Sequence, residues 1–424
     1  MSGHEILGSR RALMLLGCLS LQRIAGAGFP VALVVVSADL RGYAAAATIQ
    51  GVFVFAATFS APFRARLLDR IGRHRVIAPQ IFLVSALLLL LGAALTTKST
   101  PLPLVLLATI APVITSPSTD SVIRTLWRTI GTSEQQVKAL HSYDSILEEA
   151  GYLAGPFLAS VLMLALGQKT AVLAILGTMI TGYLLALTSR DVRSALRPRP
   201  AAAAQPAPAA APGGPARRFL RTLAGPIASR ELQRIVLPLI LTGSVFGVVG
   251  ILAPALCAAA GHPGDAGFVL AAISAGGVAG ALIYSTARLK WPLRLRHAAL
   301  GIVFGTPLVF GFLARSPWTL GILLAAGGLA VTPLYINAYL MMDAEIPDTV
   351  IHEASTWVPV GNNVGYVIGI TIAASVLGRQ DITAALITVT ILAAVLVAYS
   401  AAQLGAAVRA RPAGTSLEKA TAGA

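Results

Sequence analysis

Apolar runs, each near the length of a bilayer crossing, recur along the chain and are parted by short segments that gather Arg, Pro and Gly. Hydrocarbon offers no water to backbone N–H and C=O groups, so a crossing segment must be a helix of roughly 20 mainly apolar residues. Such runs fall near Ala12–Val36, Ala44–Phe63, Val76–Thr96, Leu102–Ile123, Tyr143–Leu166 and Thr170–Thr188. A second set falls near Ile235–Ala259, Gly267–Thr286, Ala298–Leu313, Trp318–Met342, Trp357–Leu377 and Ile382–Leu404. With 56% of residues hydrophobic and 12% charged, the chain carries about half the charge of an ordinary soluble domain. The reading is an all-α integral membrane protein with about twelve transmembrane helices.

Charge sets the topology. The formal net charge is +15 in 424 residues, which in a soluble chain would suggest nucleic acid; here the basic residues sit in alternate short segments, and no nucleic-acid partner is expected. If the N-terminus is cytoplasmic, 26 of the 32 Lys and Arg fall on the inside, and the outside segments hold single residues such as Arg41, Lys98 and Arg315. The positive-inside rule then puts both termini in the cytoplasm. The Ala- and Pro-rich stretch around 194–215 looks moderately apolar, but repeated Pro forbids a regular helix there. It reads as part of a cytoplasmic linker, 190–230, between residues 1–189 and 231–405, with a tail over 406–424. Arg10 and Arg11 with Leu16-Gly17-Cys18 superficially resemble an export signal and lipobox, but the apolar run is short and an uncleaved first helix is expected. Cys18 and Cys257 lie in apolar runs, so neither a disulfide framework nor a metal cluster is expected, and no cofactor. Arg exceeds Lys and Ala is abundant, which points to a bacterial plasma membrane.

The linker divides the runs six and six, the mark of a parallel repeat. An internal echo supports it, since Glu148-Glu149-Ala150-Gly151-Tyr152-Leu153-Ala154-Gly155 matches Asn362-Asn363-Val364-Gly365-Tyr366-Val367-Ile368-Gly369 in three positions. Between the second and third runs stands Arg66-Leu67-Leu68-Asp69-Arg70-Ile71-Gly72-Arg73-His74-Arg75. It resembles the cytoplasmic signature of the major facilitator superfamily, with Ala65 where a first glycine is usual. That resemblance implies two six-helix bundles that alternate access to a central cavity. It makes Asp69, Arg70, Gly72 and Arg73 a cytoplasmic gate, in which a carboxylate meets a helix N-terminus of the opposite bundle and arginines hold anionic lipid headgroups. The plainer account is topogenic charge alone. Gly151-x-x-x-Gly155-Pro156 resembles the motif of the drug:proton antiporter branch; small residues four apart permit close helix packing and Pro adds a kink. Thr109 stands near where antiporters of this kind often bury an arginine, so a relay through that arginine does not transfer.

Four charged residues bear on coupling. A charge at the bilayer centre costs roughly 2.5–3.5 kcal/mol on insertion scales, so Arg23, Asp120, Glu148 and Glu149 must be paired or hydrated. In the implied fold the first and fifth helices are neighbours, which makes an Arg23–Glu149 pair plausible. Glu149, Glu148, Arg23 and Asp120 are therefore the proton-coupling candidates, Glu149 first, because moving a cation away from a buried carboxyl swings its protonation. A fixed structural pair is the rival account, and for Asp120 with Arg124, four apart on one helix face, it is the preferred one. Gln22, Tyr335, Asn337, Tyr339, Asn362, Asn363 and Tyr366 supply polar or aromatic groups within the spans and are candidates to line the substrate path. Neither a P-loop nor a Gly-x-Ser-x-Gly elbow is present, so catalysis and ATP coupling are not expected. The expected function is proton-coupled efflux of a small hydrophobic or amphipathic compound, the protein acting as a monomer. Uptake of a small nutrient is the alternative, and a membrane-embedded non-transport protein the remote one.

Overall fold

The computed structural model describes residues 10–71, 73–117, 134–188, 229–287, 291–346, 357–379 and 381–409. Among them the chain is helical, in the order α1 (Arg10–Arg41), α2 (Tyr43–Ile71), α3 (Arg73–Thr96), α4 (Leu102–Thr115), α5 (Glu134–Leu166) and α6 (Gln168–Thr188). The second half continues with α7 (Arg230–Ala259), α8 (Ala266–Thr286), α9 (Leu293–Val309), α10 (Pro317–Glu345), α11 (Trp357–Leu377) and α12 (Ile382–Arg409). Ten of the described helical segments are long and apolar enough to cross a bilayer, with α4 and the apolar part of α5, Ala150–Leu166, shorter. The protein is a multi-pass membrane protein.

Several helices outrun the hydropathy of their spans. Hydropathy marks only the part that needs lipid, whereas backbone hydrogen bonding continues into the headgroup zone. Thus α5 begins at Glu134 and α2 runs to Ile71, so the Asp69-Arg70 part of the gate motif lies on a helix end and not on a free loop. Outer turns are tight. Gly42 and Gly167 adopt φ of 81° and 77°, a left-handed conformation that a Cβ would oppose, and each bonds back into the preceding helix, Gly42 N to Ala38 O at 2.8 Å and Gly167 N to Met163 O at 3.0 Å. Arg41, one of the few outside cations, donates to Ala94 O at 3.0 Å and Thr97 O at 2.7 Å, satisfying carbonyls at the end of α3. Arg64, on the cytoplasmic side, does the same for Ser116 O beyond α4, at 3.2 Å.

The helices form two bundles with matching internal contacts. In the first, α1 packs on α5 and α6, α2 on α4, and α3 on α6; in the second, α7 packs on α11 and α12, α8 on α10, and α9 on α12. Glycines bring the pairs together. A methyl at Gly28 of α1 would lie 2.5 Å from the Gly155 carbonyl oxygen of α5, and one at Gly247 of α7 would overlap the Tyr366 carbonyl of α11. Outside the bundles, Leu89, Leu90, Leu107, Leu282 and Ile322 stand exposed where lipid would cover them. Trp291 and Trp318, 55% and 56% exposed, sit at helix ends on opposite faces, where aromatic belts form.

Candidate functional site

Across the bundle interface α2 packs on α11 and α5 on α8. The joining contacts lie in the outer halves of these helices. Gly267 N donates to Ser160 Oγ at 2.7 Å, Tyr43 Oη donates to Pro254 O at 3.2 Å, and Phe157 meets Phe268 edge-on at 5.1 Å. The bundles are closed toward the outside.

Beneath this seal lies a cavity of about 810 Å³, within the roughly 300–1,000 Å³ range of small-molecule sites. Gln22, Arg23, Gly26, Pro30 and Val34 line it from α1, recurring three and four residues apart as one helix face must. Gln50 and Phe53 come from α2, Tyr152 and Pro156 from α5, Phe246 from α7, Ser274 from α8, Thr332 and Tyr335 from α10, and Asn362, Asn363 and Tyr366 from α11. The two halves of the repeat contribute equivalent tyrosines, since Tyr152 and Tyr366 occupy matching places in the echo.

The wall is mainly apolar, with polar groups held in fixed poses. Gln50 Nε2 donates to Tyr366 Oη at 3.4 Å, a link between the bundles, while Gln50 Oε1 and Asn362 Oδ1 are buried acceptors without partners. Gln22 Nε2 donates to Tyr183 Oη at 3.2 Å, and Tyr183 meets Ser116 Oγ at 3.1 Å, which ties α1 to α6 and the end of α4. Among the described lining residues Arg23 alone is charged. Gly151 of α5 opposes it, a methyl there falling 3.6 Å from Arg23 Cβ.

Pro156 does two things. Lacking an N–H, it leaves the Tyr152 carbonyl without its helical donor, and Ser274 of the opposite bundle approaches that oxygen at 3.5 Å. Its own carbonyl faces Gly267 of α8 so closely that a methyl on Gly267 would overlap it. The Gly151, Gly155 and Pro156 element thus serves both the α1–α5 packing and the interface with α8.

Of the residues singled out in the sequence, Gln22, Arg23, Tyr335, Asn362, Asn363 and Tyr366 come together in the cavity. Asn337 and Tyr339 do not line it. Asn337 is fully buried, its Nδ2 donating to Leu293 O at 3.0 Å and its Oδ1 accepting from Tyr284 Oη at 3.1 Å, so it joins α8, α9 and α10. Tyr339 is 44% exposed. Thr109 bonds back to Val105 O at 2.8 Å within α4. Asp120, Arg124, Gly72, residues 190–228 of the 190–230 linker and the tail beyond 409 lie outside the described residues, as do the side chains of Asp69, Arg70, Arg73, Glu148 and Glu149; Ser229 and Arg230, the end of that linker, instead cap and open α7. Gln50 was not singled out, although it is a lone amide in the apolar Ala44–Phe63 run, the criterion that selected Gln22. Tyr152 was quoted in the echo but not chosen.

Comparison with curated protein sequences finds no match. Solved structures are similar in fold: a mutant of the nucleoside transporter NupG has a TM-score of 0.71 at 13% identity, covering 93% of this chain and 100% of that one. A bacterial homologue of the iron transporter ferroportin in its inward-facing state has a TM-score of 0.68 at 12% identity, covering 92% and 98%. A mutant of the peptide transporter POT has a TM-score of 0.69 at 14% identity, covering 94% of each chain. The model of the Major Facilitator Superfamily matches residues 15–370, and with the paired bundles and central cavity this makes the chain a member of that superfamily, a transporter by alternating access.

Proposed function

We propose that the chain couples proton movement to the efflux of a small hydrophobic or amphipathic compound, in the manner of the drug:proton antiporter branch. The observation that carries the reading is the cavity itself: large, walled by Val, Leu, Phe and Tyr, and furnished with a few convergent polar groups. Polar side chains in the lining, Gln22, Ser274, Thr332, Asn363 and Tyr366 among them, favour a compound with at least one hydrogen-bonding group.

Coupling rests on register. By helical periodicity, position 149 of α5 shares the stripe of Tyr152 and Pro156, which line the cavity, and position 148 shares the stripe of Gly151 and Gly155, which pack on α1 beside Arg23. Glu149 is the proposed proton carrier, Glu148 and Arg23 its electrostatic partners, and Asp120 a more distant candidate. Asp69, Arg70, Gly72 and Arg73 are the proposed cytoplasmic gate. Efflux is favoured by the Gly151, Gly155 and Pro156 element at the bundle interface. The setting is proposed as a bacterial plasma membrane, from composition.

A second reading is uptake of a small polar solute. The polar side chains of the lining favour it, and the nucleoside and peptide transporters of similar fold carry such solutes. Proton flux in proteoliposomes holding a pH-sensitive dye separates the readings, with lipophilic compounds and small polar nutrients offered in turn. Lipophilic compounds should move protons in wild type and fail to do so in Glu149→Gln. Proton movement with polar nutrients alone would replace efflux with uptake, and full coupling in the variant would remove Glu149 from the mechanism.

A further inference from the structure

Five side chains of the central cavity are aromatic: Phe53 of α2, Tyr152 of α5, Phe246 of α7, Tyr335 of α10 and Tyr366 of α11. Aromatic residues make up 6% of the chain but five of the 25 described residues that line this space, so rings are gathered there beyond their general frequency. An apolar wall does not require them. Leu, Val and Ala remove an apolar solute from water as well, whereas a ring adds edge-to-face and offset-stacked contacts that favour another ring.

The rings come from both bundles, and three of them are held in place from outside the cavity or across it. Phe53 meets Phe29 of α1 with 5.6 Å between centroids and 64° between planes, and Phe246 meets Phe304 of α9 at 5.7 Å and 89°. Phe29 and Phe304 are 2% and 0% exposed and are not among the lining residues, so each is a buried backing for the ring in front of it. Tyr366 is fixed at its hydroxyl, which accepts from Gln50 Nε2 of the opposite bundle at 3.4 Å. Rings already fixed before a ligand arrives lose little rotamer freedom on binding, and that preorganisation adds affinity for the shape they fit. Aromatic walls also hold organic cations. Arg23 stands in the same wall and opposes that use, since like charges repel more strongly away from bulk water.

We propose that the central cavity takes a compound built on a planar aromatic ring system, with Phe53 and Phe246 as residues that determine this specificity. The proposal rests on the reading of this cavity as the substrate site, and it holds for efflux and for uptake alike.

Isothermal titration of the full chain in lipid nanodiscs tests it, with empty nanodiscs as the blank and with β-naphthol and its fully hydrogenated analogue as the probes. The two share a carbon skeleton and a hydroxyl and differ in aromaticity. β-Naphthol should bind more tightly by about fivefold or more, and Phe53→Leu and Phe246→Leu should each weaken it by about two- to tenfold, the worth of one aromatic pair. The same variants should leave the saturated analogue unchanged, which also reports that they are folded. Phe53→Tyr keeps the ring and should keep the preference. Phe82→Leu, on the outer surface at 63% exposure, should alter neither affinity. No gradient is applied, so this binding result and the proton-flux result for Glu149→Gln can fail separately. Absence of saturable β-naphthol binding, equal affinity for the two probes, or equal losses of both in the Leu variants would overturn the proposal. Displacement of β-naphthol by tetrapropylammonium of equal or greater affinity would overturn it in favour of a cation site.

Discussion

Gly267→Ala tests the outer seal. Gly267 lies where α8 meets α5 across the bundles; a methyl there would overlap the Pro156 carbonyl and lie 2.6 Å from Ser160 Oγ. A carbonyl in a packed helix cannot step aside, so α5 and α8 must part by about 1 Å, and such overpacking costs typically ~1–3 kcal/mol. The penalty falls on the outward-closed arrangement alone, because the same helix ends separate when the cavity opens outward. A one-sided penalty of that size shifts the population ratio by roughly 5- to 150-fold toward outward-open. The assay is labelling of Val249→Cys, which lines the cavity, by a membrane-impermeant thiol reagent from outside, after Cys18→Ala and Cys257→Ala remove the native thiols. Gly276→Ala is the control. Its methyl would overlap the Ala325 carbonyl of α10 inside the same bundle, so it penalises both arrangements and should lower thermal stability without changing labelling. Unchanged labelling in Gly267→Ala, with a stability loss like that of Gly276→Ala, would refute the argument.

Other expectations follow from single contacts. Asn337→Ala strands Tyr284 Oη and Leu293 O and should cost about 1–3 kcal/mol of stability, with substrate KM unchanged; a KM change without a stability loss would move Asn337 into the substrate path. Gln50→Leu removes the hydrogen bond that fixes Tyr366 in the cavity wall, and should raise substrate KM by up to roughly tenfold; an unchanged KM would take the Gln50–Tyr366 link out of the substrate site. Glu149→Gln should flatten the pH dependence of transport, since an amide cannot carry the proton; a pH profile identical to wild type would assign coupling elsewhere.

Much of the architecture was legible in the sequence because the bilayer imposes it. Hydrocarbon demands continuous apolar helices, and the bias of Lys and Arg orients them, so the all-α fold and its succession of spans follow from composition and order, whereas the one helix pair expected, the first with the fifth, came from the family resemblance. The family resemblance rested on Asp69-Arg70 and its neighbours. The cavity was only partly legible. Gln22, Arg23, Asn362, Asn363 and Tyr366 stand out because polar groups in lipid are costly, but the same criterion also picked Asn337, which spends both ends of its amide holding helices together. Whether a polar side chain faces a neighbour or a cavity depends on helix rotation, to which hydropathy is blind.

The sequence alone determined how many times the chain can cross, in which direction, and which family it joins, since these depend on local apolarity and charge acting residue by residue. Only the tertiary structure decided that Gly28 meets Gly155, that Gly267 closes on Ser160, and that Ser400 of α12 packs against Gly301 of α9. Those facts depend on the rotation and close approach of helices distant in the chain, and one methyl group more or less, with no change in hydropathy pattern, would alter them.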